Sequence, residues 1–178
     1  MPVRKDSDNL IEEQKRMGIT MQVLAWIVLL GLGVAYFGNM LEEQYNPNQS
    51  IEVRQGEGGA REVVLQRNRF GHYVTTGEIN GKAVTFMLDT GATGVAIPEA
   101  LAGRLGLEKG RAFRTQTANG IGTSYAAKLD SVSVGPIRLY DVQAGITPGL
   151  LTEEILLGMS FLKHIEFSQR GDTLILRQ

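Results

Sequence analysis

The sequence predicts an all-β closed barrel with one or two short helices, preceded by a single apolar helix. From residue 62 onward the chain breaks into many short apolar or alternating runs, separated by Gly, Pro, Asn and Asp, the punctuation of a barrel of short strands. Asn80-Gly81 and Asn119-Gly120 each lie between two such runs and are two-residue hairpin signals. Ahead of all of them, residues 19–37 are almost wholly apolar, interrupted only by Thr20 and Gln22.

In order, residues 1–18 are polar and of mixed charge, with Arg4, Lys5, Lys15 and Arg16 against Asp6, Asp8, Glu12 and Glu13, and read as an exposed tail. Residues 19–38 at about 1.5 Å per residue just cross a hydrocarbon core of about 30 Å, so they read as a transmembrane helix. A buried helix would show a polar face, and a cleaved signal peptide would want a better small-residue site than Ala35-Tyr36-Phe37, which favours a retained anchor. Basic residues cluster before the segment, while Glu42 and Glu43 follow it with no basic residue until Arg54. The N-terminus is therefore expected in the cytoplasm and the rest outside it. Gly31 and Ala35 form a small-xxx-small pair, a weak hint that two anchors pack. Residues 39–61, with Asn46-Pro47-Asn48-Gln49-Ser50 and Gly56-Glu57-Gly58-Gly59, have the composition of a flexible linker.

The globular domain, 62–178, is expected to open with strands at 62–66, 72–79 and 82–88, the last two joined through Asn80-Gly81. A short strand at 95–97 leads into a helix at 98–105, started by Pro98 and ended near Gly106. Strands at 114–118 and 124–129 flank Asn119-Gly120, and strands at 131–134 and 137–143 flank Gly135-Pro136. Short strands at 144–146 and 154–157, a helix from Gly158 to about Leu162, and strands at 165–168 and 173–176 complete the chain.

Composition narrows the chemistry. A formal charge of −1 with 21% charged residues gives no electrostatic reason to expect nucleic acid. Cysteine is absent, which excludes disulfides, a thiolate nucleophile and a cysteine metal site; no His and carboxylate spacing marks a metal, and no cofactor is expected. His72 and His164, the only histidines, are far apart and read as structural. Gly158-Met159-Ser160-Phe161-Leu162 lacks the second glycine of a nucleophile elbow, so Ser160 reads as a helix residue.

One stretch stands out. Thr85-Phe86-Met87-Leu88 runs directly into Asp89-Thr90-Gly91-Ala92-Thr93. Ending an apolar run on a charged carboxylate costs several kcal/mol unless donors, or a second carboxyl sharing a proton, take up the charge. Gly91 permits positive φ or close backbone approach, and Thr90 offers a hydroxyl to a neighbouring chain. Two such loops face to face would share one proton between two carboxyls, one acting as base and the other as acid on a water between them. The plainer alternative is an Asp-initiated turn after a strand.

Leu88-Asp89-Thr90-Gly91-Ala92-Thr93 resembles the catalytic loop of the aspartic proteases. Ile155-Leu156-Leu157-Gly158-Met159-Ser160-Phe161-Leu162 resembles their second signature, in which a glycine-bearing strand passes beside that loop. Thr117-Ala118-Asn119-Gly120-Ile121-Gly122-Thr123 stands where the family carries its flap. Asp89 is the only Asp followed by Thr or Ser and then Gly, so the chain supplies half a dyad. The resemblance is thus to the retroviral-type, retropepsin-like single-lobe enzymes that work as homodimers, and in particular to membrane-anchored bacterial members.

That resemblance implies an aspartic endopeptidase with Asp89, Thr90 and Gly91 as catalytic residues. Ala92, Asn119, Gly120, Ile121 and Gly122 would contact a peptide or protein substrate, with Gly158 structural beside the site. The terminal strand 173–176 would join the dimer interface. Ala92 stands where many members place a Ser or Thr donor, and its lack of a hydroxyl implies an activity optimum nearer neutral. The expected setting is a bacterial inner membrane, single-pass through 19–38, with a cytoplasmic N-terminus and a periplasmic domain. Two rivals stay open: a non-catalytic membrane-tethered module using the same barrel for peptide binding or dimerisation, and a soluble dimer whose apolar segment is cleaved.

Overall fold

A computed structural model of the protein describes residues 3–117 and 120–178. The chain divides into two compact units, Met1–Glu42 and Glu43–Gln178. The first is the helix α1 (Val3–Tyr45), whose last residues enter the second unit. Its stretch Met17–Tyr45 contains an 18-residue window of mean hydropathy 2.0 and is long and apolar enough to cross a bilayer, a property that anchors and signal sequences share. Leu24, Trp26, Leu29, Val34 and Phe37 are all exposed around its circumference, so no stripe of it is set aside for a protein core. The segment expected as an 18-residue tail is helical from Val3, continuous with the apolar part.

The second unit contains eleven strands and three short helices among the described residues, two α-helical and one, Glu57–Gly59, of 3-10 type. β1 (Glu52–Gln55), β2 (Arg61–Gln66), β10 (Glu166–Arg170) and β11 (Thr173–Arg177) form one antiparallel sheet in the order β1-β2-β11-β10. β3 (Val74–Ile79), β4 (Lys82–Leu88), β9 (Ile155–Leu157), β5 (Val95–Pro98), β8 (Ile137–Thr147), β7 (Gly120–Val134) and β6 (Ala112–Thr117) follow one another in a second sheet. β3 also pairs with β7 through Glu78↔Ser133 and Ile79↔Val132, which brings the second sheet back on itself. The expected closed barrel is therefore a loosely closed one: two residue pairs close it, β5 meets β9 at the single pair Ala96↔Leu156, and β6 extends beyond the ring.

Local chemistry explains the turns. β3 and β4 meet at Asn80-Gly81 with both residues at positive φ (51° and 76°), the geometry that fits strand twist and that Asn and Gly tolerate. α2 (Glu99–Leu105) stops at Gly106, left-handed at φ 73°, whose N–H reaches back to the carbonyls of Ala102 and Gly103. Inside, Phe86, Ile79, Leu129, Ile137, Ile155, Leu157 and Phe161 are fully buried in one cluster, each contributing about 1.5–3 kcal/mol relative to exposure.

Three expectations are corrected. The runs 124–129 and 131–134 are one strand, as are 137–143 and 144–146. The β7–β8 register is the same at Leu129↔Val142 and Ser131↔Tyr140, on either side of the skipped position of Asp130 and Asp141, where Asp141 takes the strain at φ 56°. The flexible linker over 39–61 is largely folded. Asn48 is buried and its amide donates to the carbonyls of Gln66 (2.9 Å) and Val74 (2.7 Å), while its oxygen accepts from Gln66 N–H (2.6 Å). Residues 52–55 then form β1; Asn48, which looks like linker composition, here satisfies backbone groups of Gln66 and Val74. Lastly, the terminal strand has no open edge for a partner, because β11 is bonded to β2 on one side and β10 on the other.

Candidate active site

β4 carries Leu88 to the end of the ring, and Asp89-Thr90-Gly91 turns out of it. β9 runs parallel beside β4, with Phe86↔Ile155, Met87↔Leu156 and Leu88↔Leu157 in register, so the two signature stretches lie side by side. The loop is bonded on both flanks: Asp89 N–H donates to Leu157 O (3.2 Å), Ala92 N–H to Asp89 O (3.2 Å) and Met159 N–H to Ala92 O (2.8 Å). Gly158 sits where the two backbones are closest. A methyl group there would collide with the carbonyl oxygens of Ala92 and Gly94, so only glycine fits.

Asp89 is half-buried and Thr90 is exposed. Gly91 N–H donates to Asp89 Oδ1 at 2.8 Å and is the one donor to that carboxylate among the described residues. Positive φ is not what Gly91 supplies; a Cβ there would stand 3.1 Å from Asp89 Oδ1, so its part is closeness to the carboxylate. The plain Asp-initiated turn is thus present, and the carboxylate it holds is only partly satisfied by its own chain.

α3 (Met159–Leu162) begins directly after Gly158. Its Ser160 hydroxyl donates to Gln143 O on β8 (2.8 Å) and accepts from Val95 N–H on β5 (3.0 Å), tying three elements behind the loop. The sequence reading, which treated Ser160 as an ordinary helix residue, missed this; the signal was one hydroxyl in an otherwise apolar four-residue helix.

The residues expected as a flap are on the β6–β7 hairpin. Thr117↔Gly120, Gln116↔Ile121 and Thr115↔Gly122 are paired. Asn119 itself lies outside the described residues. Gly120 has φ 112°, Ile121 is 77% exposed and Gly122 is open to solvent.

A hollow of about 220 Å³ opens beside Thr90, lined also by Tyr73, Leu88, Leu162, Phe167 and Leu174. The buried Tyr73 hydroxyl has no hydrogen-bond partner among the described residues. A larger hollow of about 330 Å³, bordered by Ile51, Glu78 and Arg138, includes no residue of the Asp89 loop.

Residues 75–164 match the family model described as gag-polyprotein putative aspartyl protease. A solved retropepsin-like aspartic protease from Rickettsia conorii is 30% identical, with 72% of this chain and 93% of that one covered and a TM-score of 0.54. An uncharacterised protein in the cobV 5′ region of Sinorhizobium sp is 32% identical over 94% of this chain and 78% of its own length. The uncharacterised protein RP867 of Rickettsia prowazekii (strain Madrid E) is 31% identical over 65% of this chain and 51% of its own length. Proteins of this type generally act as homodimers on peptide substrates. With its Asp89-Thr90-Gly91 loop set against the Gly158 strand, the chain belongs to the retropepsin-like aspartic protease family.

Proposed function

We propose that the protein is a membrane-anchored aspartic endopeptidase, active as a homodimer in which Asp89 of each copy forms the dyad. The observation that carries this is the Asp89 carboxylate, which takes one donor, Gly91 N–H, among the described residues, at the head of a loop whose Asp89 backbone N–H is tied to the Leu157 carbonyl, on a chain with one such loop. Two of these carboxyls brought together hold one proton. The ionised member takes a proton from a water whose oxygen attacks the scissile carbonyl carbon, and the protonated member gives its proton to the carbonyl oxygen. Collapse of the resulting diol then breaks the C–N bond, with a proton passing to the leaving nitrogen.

Thr90 and Gly91 complete the loop, Thr90 by offering its hydroxyl across the two-fold axis and Gly91 by orienting the carboxylate. Ala92 and the hairpin residues Asn119, Gly120, Ile121 and Gly122 contact an extended peptide, largely through its main chain. Residues 19–38 anchor the protein in a bacterial inner membrane with the N-terminus cytoplasmic and the folded unit periplasmic. The charge asymmetry about the apolar helix supports that orientation.

Incubating the full-length protein in detergent with a diverse peptide library, with products read by mass spectrometry, tests the activity. Cleavage by the wild type and none by Asp89→Asn is the expected result. Persistence of cleavage in Asp89→Asn defeats the reading.

A further inference from the structure

The loop between β2 and β3, Arg67-Asn68-Arg69-Phe70-Gly71, holds a large apolar side chain in the open. Phe70 is 58% exposed, more than any other phenylalanine of the second unit. The backbone beneath it is fixed. Asn68 is buried, and its side-chain oxygen accepts from the N–H groups of Phe70 (3.0 Å) and His72 (2.9 Å). Its amide donates to Tyr45 O (2.9 Å), at the last residue of α1.

Two further contacts reach the same short segment. Arg69 donates to Gln44 Oε1 (2.6 Å), and the Phe70 and Tyr45 ring centroids are 6.1 Å apart. The Arg69 guanidinium also stands 5.1 Å from the Phe70 ring centroid. Gln44 and Tyr45 belong to the folded unit, so this is a contact within it.

We propose that Phe70 and Arg69 form a membrane-contact site, with Phe70 entering the boundary between headgroups and acyl chains and Arg69 meeting a lipid phosphate. The inference rests on the anchor reading above and adds to it which face of the folded unit lies on the bilayer.

Chain length favours lipid as the occupant. Leu41, the last large apolar residue of the helix before Tyr45, precedes it by four residues, about 6 Å of helix. The polar layer on each side of a hydrocarbon core is about 5–7 Å deep. Tyr45 and the loop bonded to it therefore fall at headgroup depth, where aromatic rings are favoured and an arginine keeps its charge among polar groups. Charge sets the class of lipid. Arg67 is paired with Asp172 at 3.6 Å, which leaves the loop one net positive charge beside Glu42 and Glu43. The contact thus calls for a phosphate and an apolar boundary, which any phospholipid surface supplies, and does not select anionic lipid.

Tryptophan quenching in phosphatidylcholine liposomes containing the full-length protein tests this. The chain has one tryptophan, Trp26, within the apolar helix. Wild-type Trp26 reports the anchor, and Phe70→Trp combined with Trp26→Phe reports the loop. Tyr140→Trp combined with Trp26→Phe is the control. Tyr140 is 70% exposed and pairs with Ser131, whose carbonyl accepts from Asn80 N–H past the far end of β3, about 20 Å away by strand length. All three replaced residues are exposed, so the core is left intact.

Lipid brominated on the acyl carbons nearest the headgroup is expected to quench the position-70 reporter at least about threefold more than the position-140 reporter, and Arg69→Glu should reduce the position-70 quenching about twofold. Equal quenching at positions 70 and 140, or no loss on Arg69→Glu, overturns the proposal. So does a position-70 reporter shielded from aqueous acrylamide yet untouched by brominated lipid, the pattern of a protein partner or a second copy. Failure of the anchor is separable. Quenching of wild-type Trp26 by lipid brominated deep in its chains, with none at position 70, removes the contact alone; none at Trp26 removes the anchor and the contact with it.

Discussion

The Asp89 loop and the β6–β7 hairpin are built to opposite specifications. The loop is tied from both sides, to Leu157 and Met159 by backbone bonds and, through Val95, to the Ser160 hydroxyl, and it stands at the end of strands whose side chains fill the core. The hairpin, Ala112 to about Tyr125, is held by its own ladder and, at its base, by Ser124 on Thr147 of β8, and among the described residues it contributes none to the core cluster, with Phe113 and Ile121 exposed. A carboxylate that must meet its twin within hydrogen-bond reach needs the first kind of support. On the proposed function, a cover that opens for a peptide and closes over it needs the second.

Breaking the loop should therefore cost far more than altering the hairpin. Asp89→Asn is expected to lower peptide turnover by roughly 10²–10⁴-fold or beyond, the range acid–base groups supply, with the melting temperature little changed. Gly158→Ala forces a methyl onto the Ala92 and Gly94 carbonyls and should destabilise the folded unit by about 1–3 kcal/mol in urea titration, with activity falling in step. Ser160→Ala leaves Val95 N–H and Gln143 O without their partner and should cost about 1–3 kcal/mol, Ser160→Thr less.

A milder change sharpens the contrast at the carboxylate itself. Ala92→Ser adds a hydroxyl beside Asp89; a donor to the charged carboxylate favours ionisation, so the acidic limb of the pH–rate profile should move to lower pH. An unmoved or raised limb would show that position 92 does not reach the carboxylate. At the hairpin, Ile121→Ser should change stability by about 0.5 kcal/mol or less, since Ile121 is 77% exposed, while raising KM for peptides.

What was legible in the sequence follows the same division. Asn80-Gly81, Gly106 and the apolar run into Asp89 impose local geometry, and each is found where its residue types require it. The adjacency of Gly158 to the loop came from the resemblance, because parallel pairing between positions some seventy residues apart leaves no local mark. The fold of 46–55 escaped because Asn-Pro-Asn is spelled like a linker; only the carbonyls of Gln66 and Val74 make Asn48 a structural residue. The filling of both edges of β11 escaped for a related reason, since strand order is set by non-local pairing.

The central claim is that one Asp89 is useless without a second. Mixing wild-type and Asp89→Asn chains at fixed total concentration, after exchange of subunits, measures it directly. If both carboxyls are required, an equal mixture retains about one quarter of the wild-type rate, the fraction of pairs with two intact copies. A rate of about one half, falling linearly with the wild-type fraction, would mean that each chain works alone and would contradict the account.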